Sequence, residues 1–300
     1  MQGQKEFVIQ TLRQSGKTIL QEGDATQKPA PTLLNKVWST RSLPASRSQK
    51  QTPPLQQSTS SPILVQMRNI QITYRPHPPL LQNFSWTIRA GERWGLFGPN
   101  GSGKTTLISL LTSDHPQTYA LPITHFGHPT RLPKRGIPGV SVFDIQKRIG
   151  HASPEVHAFF PKAYTLRRTV LSGLAETLHA KPPPATVYAE MLLAEFEDIV
   201  VGVGGWDDTI LGEAGLSVQR LALFLRAVVG KRDLIVLDEA FSGMETVVRD
   251  RCMRALANGF DRASQALVVV GHVGEEVPEV DMWVRLPERG SDSCAVFGDA

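Results

Sequence analysis

The sequence predicts an α/β fold with a mainly parallel sheet, and three features carry that expectation. A glycine-rich loop, Gly98-Pro99-Asn100-Gly101-Ser102-Gly103-Lys104-Thr105-Thr106, stands between a short apolar run and a helical pattern. A second apolar run, residues 234–237, ends in Asp238-Glu239. After it, helical and strand-like patterns alternate, which is the order that crossover connections produce in a parallel sheet.

Composition narrows the class. The 300-residue chain is 41% hydrophobic, enough for one large domain or two ordinary ones. Its net charge of +4 is uneven: residues 1–62 hold eight Lys/Arg against three Asp/Glu, so residues 63–300 sum to −1. A near-neutral remainder gives no indication of a nucleic-acid face. Two cysteines, Cys252 and Cys294, are too few for a disulfide framework or a Cys-rich zinc site. No apolar run approaches the length that spans a bilayer, so we expect no transmembrane segment and no pore.

Taken in order, residues 1–62 are rich in Gln, Ser, Thr and Pro and read as a disordered tail, with residues 63–300 as the folded domain. From residue 25 to 62 there are five basic and no acidic residues, the look of a mitochondrial transit segment; Glu6, Glu22 and Asp24 speak for a plain solvated tail and a cytoplasmic protein. Alternation over residues 63–74 predicts a strand, residues 84–88 a second and residues 94–97 a third that feeds the glycine-rich loop. Leu107, Ile108, Leu110 and Leu111 then mark a helix. Residues 113–139 form a Pro/Gly-punctuated excursion in which His115, His125 and His128 read as surface loop histidines. A short strand at 148–152 is followed by helices at 166–179 and 187–200, an inserted helical subdomain over about 155–215. Helix 218–229, strand 234–237, helix 245–257 and strand 266–270 complete the pattern, without internal repeat.

The loop and the acidic strand end carry chemistry. Glycines at 98, 101 and 103 free the backbone to aim successive N–H groups at one phosphate, and the helix start adds unsatisfied donors and partial positive charge. Lys104 supplies a full charge for β- and γ-phosphates and Thr105 a hydroxyl for Mg²⁺. Asp238 would hold Mg²⁺ through water, and Glu239 would polarise the attacking water.

With these motifs in place, residues 63–300 resemble the ATP-binding-cassette (ABC) ATPases. Residues 98–106 match the family's Walker A loop, Leu216-Ser217 with Gln219-Arg220 its signature, residues 234–239 Walker B, and His272 the switch histidine. Asp114-His115-Pro116-Gln117, the stretch 143–150 and Gly274-Glu275-Glu276-Val277-Pro278 are similar to the soluble molybdenum-transport and photorepair type. The resemblance implies a P-loop NTPase fold of ABC type with an antiparallel β edge. It implies Tyr74 stacking on adenine, His272 at the γ-phosphate, and Ser217 and residues 98–106 binding ATP with Mg²⁺. It also implies completion by a second subunit, as homodimer or with a partner ABC chain, and service to a separate membrane protein.

One departure bears on that completion. The family signature reads Leu-Ser-Gly-Gly-Gln, whereas Leu216-Ser217-Val218-Gln219-Arg220 lacks both glycines and is short by about two residues. The family's Gln after strand 148–152 falls near Pro154, and Glu245 stands where an Asp is usual. The sequence therefore predicts Mg·ATP binding with hydrolysis, or, as the alternative, a nucleotide-binding regulatory module with little turnover.

Overall fold

A computed structural model describes residues 61–74, 79–128, 132, 133, 136, 139–177, 180–271, 274–289 and 294–300. The tail expected over 1–62 lies outside these residues apart from Ser61 and Pro62, and so does His272.

The chain opens with β1 (Ile63–Ile72), β2 (Leu81–Arg89), β3 (Arg93–Phe97) and α1 (Lys104–Leu111). A 3-10 turn at Pro116–Tyr119 leads to β4 (Ile123–His125), α2 (Val142–Gln146) and β5 (Ile149–Ala152). Six helices follow: α3 (Pro154–Phe159), α4 (Leu166–Leu171), α5 (Val187–Glu195), α6 (Glu197–Val200), α7 (Gly205–Asp208) and α8 (Leu216–Val229). Then come β6 (Leu234–Asp238), α9 (Thr246–Gly259), β7 (Ala266–Val270), β8 (Met282–Arg285) and β9 (Val296–Asp299).

Strands β5-β6-β7-β3-β8 run parallel, β9 closes the sheet antiparallel to β8, and β2-β1-β4 form a separate antiparallel sheet. The α/β class, the parallel sheet and the antiparallel edge are as expected. Burial on both faces explains why the central strands read as unbroken apolar runs. Leu234 and Val236 of β6 face one core, beside α1 and the antiparallel sheet; Ile235 and Leu237 face the other, beneath the helices. Likewise β7 divides Ala266, Val268 and Val270 from Leu267 and Val269. Close approach fixes the helical side: a Cβ on Gly150 would lie 1.9 Å from the Ala227 carbonyl oxygen, so α8 rests on β5 at a distance only glycine allows.

The helical block begins with ordinary chemistry. Ser153, Thr165 and Thr186 cap α3, α4 and α5 by accepting from the backbone N–H three residues on. Among the described residues, no helix is long and apolar enough to cross a membrane.

Several expected boundaries move. The helix expected over 166–179 ends as α at Leu171 and tightens to 3-10 over Ser172–Leu174, where Gly173 packs against the Arg226 carbonyl. The helix expected over 187–200 breaks at Phe196, whose ring is fully buried and whose backbone leaves the helical region. The excursion 113–139 contains β4, which pairs with β1 and draws its neighbours inward. His115 and His125 are therefore buried rather than surface loop histidines, and only His128 of the three is exposed. The Nε2 of His125 lies 3.1 Å from the Leu110 and Leu111 carbonyl oxygens at the end of α1.

Candidate nucleotide site

The parallel order places β6, β7 and β3 side by side, with Val270 opposite both Asp238 and Leu96. Their carboxyl ends open on one edge, the expected location for a ligand in such a sheet. The loop 98–106 leaves β3 there and Asp238-Glu239 ends β6 there, although far apart in sequence.

The loop has the geometry of an anion cradle. Gly101 (φ +80) and Gly103 (φ +102) take left-handed conformations, and a Cβ on Gly101 would meet no atom within 4 Å. Pro99 and Asn100 form the turn before it, and the buried hydroxyl of Ser102 has no hydrogen-bond partner. Lys104, the first residue of α1, bends back so that Nζ donates to the carbonyls of Gly98 (2.8 Å) and Pro99 (3.1 Å). Burial lowers its pKa, opposed by the charges of Glu239 and Asp238. Thr105 is exposed at the mouth and Thr106 half-buried behind it.

Asp238 is buried, and burial, then the charges of Glu239 and Glu155, push its carboxyl up to about 7 against the pull of Lys104. A cation at this point would relieve that strain. The orphaned Ser102 hydroxyl, the open space over Gly101 and the crowded carboxylates together fit a nucleotide phosphate with a divalent ion. Glu239 sits at φ +48, a conformation unusual for a side-chain-bearing residue, held by its N–H donating to Val270 O at 2.9 Å.

Beside the loop lies a cavity of about 520 Å³ lined by Thr105, Glu155, His151, Phe160, Arg226 and Asp238. The Nε2 of His151 is buried without a partner, and burial holds this imidazole at about 4, neutral at pH 7. Arg226 donates to Ser172 Oγ at 3.1 Å and sits over the Phe160 ring. The place near Pro154 expected to hold a family Gln thus presents Glu155 to the same cavity.

The signature region begins earlier than expected: α8 starts at Leu216, so Ser217 and Val218 lie in its first turn. Ser217 Oγ accepts from the N–H of Glu245 at 3.0 Å and is thus engaged within the chain. Val218 is half-buried against the helical core instead of standing at the surface. Gln219 Oε1 accepts from Lys162 Nζ at 3.3 Å and lies 2.8 Å from His157 Nε2. Arg220 closes the signature match in the sequence, where it was given no role of its own: its Nε is buried without a partner, burial lowers its pKa, and the Glu239 charge opposes that.

Tyr74 is 40% exposed, two residues beyond the end of β1. The Ile72 carbonyl accepts from Leu80 N–H at 2.7 Å, and the Leu80 side chain lies 3.1 Å from where a Gly103 Cβ would be. Leu80, just before β2, is thereby seated at the phosphate loop.

The chain is similar in sequence and in fold to known proteins. The family model described as ABC transporter matches residues 81–242. The chain is 34% identical over 277 residues to an ABC transporter ATP-binding protein of Schizosaccharomyces pombe, covering 91% of this chain and 53% of that protein. It is 32% identical over 212 residues to the ABC transporter ATP-binding protein ModF of Escherichia coli, covering 71% of this chain and 42% of ModF. The chain spans about half the length of these relatives or less. A bacterial Atm1-family ABC exporter with ATP bound shares the fold at a TM-score of 0.59 and 18% identity, over 76% of this chain and 37% of that one.

Proposed function

The chain belongs to the ABC transporter family, and on that premise we propose that it binds Mg·ATP at residues 98–106 and hydrolyses it. The observation that carries the reading is the convergence of an open glycine cradle, Lys104 and two strand-end carboxylates on one sheet edge. Lys104 exchanges the Gly98 and Pro99 carbonyls for phosphate oxygens, and the amides of 101–105 with the start of α1 hold the same anion. Thr105 and Asp238 would hold the metal, which when bound would supply neutralising charge to the phosphates. Glu239 polarises the attacking water, and His272 contacts the γ-phosphate. Tyr74 stacks on the adenine ring.

A second reading is an ATP-binding switch with little turnover, and the loss of both signature glycines, with Val218 packed half-buried in the first turn of α8, favours it. A partner ABC half with an intact signature, or a second copy of this chain, would complete the site, and a separate membrane protein would be the client. We also propose residues 1–62 as a mitochondrial address; their fusion to a fluorescent protein should mark mitochondria, and diffuse cytosolic signal would refute it.

ATP affinity measured beside turnover separates the readings of the site. Micromolar binding with steady phosphate release supports the hydrolase; binding without release, even at high protein concentration, supports the switch. No binding by wild type, with Lys104→Ala indistinguishable from it, overturns both.

A further inference from the structure

Tyr74 does not stand free at the edge of the nucleotide site. Its hydroxyl lies 2.7 Å from His115 Nε2, although the two residues are 41 positions apart. The proton on that contact can be placed. His115 Nδ1 accepts from the Gln117 N–H at 3.2 Å, capping the 3-10 turn Pro116–Tyr119, so Nδ1 carries the lone pair. A neutral imidazole then has its hydrogen on Nε2, and Nε2–H donates to the Tyr74 oxygen.

The ring geometry is selective. The His115 ring meets Tyr74 edge-on, with centroids 6.2 Å apart and planes at 68°. Such an arrangement holds the phenol by its hydroxyl, and among the described residues no other ring is paired with it, while the side chain stays 40% exposed. His115 is itself anchored: it is buried, its N–H donates to the Ser109 carbonyl at 3.0 Å, and the turn it caps follows directly from α1. A residue beyond the far end of α1 thus holds a ring that leaves the chain two residues after Ile72, whose carbonyl accepts from Leu80, the residue whose side chain lies against Gly103 of the loop. Without the tether, a side chain that is 40% exposed samples several χ1 wells, and stacking on a base would have to order it.

We propose that His115 is a positioning residue for base recognition, fixing the Tyr74 ring with an open face toward the adenine of a bound nucleotide. The inference rests on the Mg·ATP reading of the site and deepens it. His115 is bonded to Tyr74 and does not line the cavity beside the phosphate loop, so its effect should fall on the base.

The test is calorimetric titration of the full chain with Mg·ATP and, separately, with Mg-tripolyphosphate, which has the anion but no base. The proteins are wild type, His115→Ala, Tyr74→Phe, the double variant, His115→Gln and Tyr74→Ala. One hydrogen bond of ordinary net strength corresponds to a loss of about three- to tenfold in ATP affinity for His115→Ala and for Tyr74→Phe. The double variant should lose no more than either single one. His115→Gln, whose amide can still donate, should recover most of the affinity, and tripolyphosphate binding should not change in any variant. Equal loss of tripolyphosphate affinity would mean that His115 only supports the fold, and additive losses would mean that the two side chains act separately; either overturns the proposal. If Tyr74→Ala loses ATP affinity while His115→Ala does not, this inference fails and the nucleotide reading survives. If wild type binds neither ligand, the nucleotide reading itself fails.

Discussion

Replacing Asp238 with Asn should stabilise the nucleotide-free protein at pH 8 and not at pH 5. Burial, Glu239 and Glu155 raise this carboxyl from 3.8 to about 7, so the folded state retains a proton that the unfolded chain releases. Stability therefore falls as pH rises from about 4 to about 7, and remains low above that. Three units correspond to a ceiling of about 4 kcal/mol. Lys104 loses a charged neighbour in the variant, which offsets part of the gain, leaving about 1–3 kcal/mol. For a domain of this size that is a rise in Tm of roughly 2–10 °C. At pH 5 wild-type Asp238 is protonated and nearly isosteric with Asn, so the two proteins should melt together. Thermal unfolding followed by circular dichroism at both pH values, with and without Mg·ATP, measures this. The variant should also lose most of the stabilisation that Mg·ATP gives wild type at pH 8. A lower Tm for Asp238→Asn at pH 8, or an equal gain at both pH values, would refute the argument.

Other outcomes follow from the packing and the charges. Gly150→Ala would drive a Cβ into the Ala227 carbonyl and should cost about 3 kcal/mol in urea unfolding; an unchanged midpoint would show that α8 can lift from β5 cheaply. Asp281, held at about 2 chiefly by its hydrogen bonds to Arg93 and Arg262 against the opposing effect of burial, stabilises the fold above pH 4 and loses that contribution as pH falls toward 2. Asp281→Asn should accordingly cost about 1–2 kcal/mol at pH 7 and nothing near pH 2, where equal losses would contradict the ion-pair account. Glu239→Gln with Mg·ATP should elute as a monomer in size-exclusion chromatography, because Val218 packs into the first turn of α8 where the family has glycine, and the shortened signature forfeits about 3–6 kcal/mol across two symmetric contacts. Two glycines inserted between Ser217 and Gln219 in place of Val218 should restore a dimer, and a stable dimer without that repair would contradict the prediction.

The central strands were readable because burial on both faces leaves no polar alternation to confuse, as residues 234–237 and 266–270 show. The loop 98–106 was equally legible, since its glycines and Lys104 act through local backbone geometry. What escaped depends on contacts between distant segments. β4 is a three-residue edge strand among prolines and glycines, so nothing local marks His115 and His125 as buried. The break at Phe196 has no Pro or Gly to signal it; a buried ring decides it. The start of α8 at Leu216 lacks a side-chain cap, and Gly215 before it reads as a turn. The pairs Tyr74–His115 and Ser217–Glu245 are bonds of the tertiary fold, invisible to any periodicity.

Phosphate release from Mg·ATP by wild type and by Glu239→Gln, with ATP affinity determined on the same preparations, tests the central claim most directly. We predict similar affinity for both proteins, release by wild type, and release by the variant reduced about a hundredfold or more, the lower end for loss of a positioned general base. Equal release from both proteins would contradict the assignment of this strand end as the hydrolytic site.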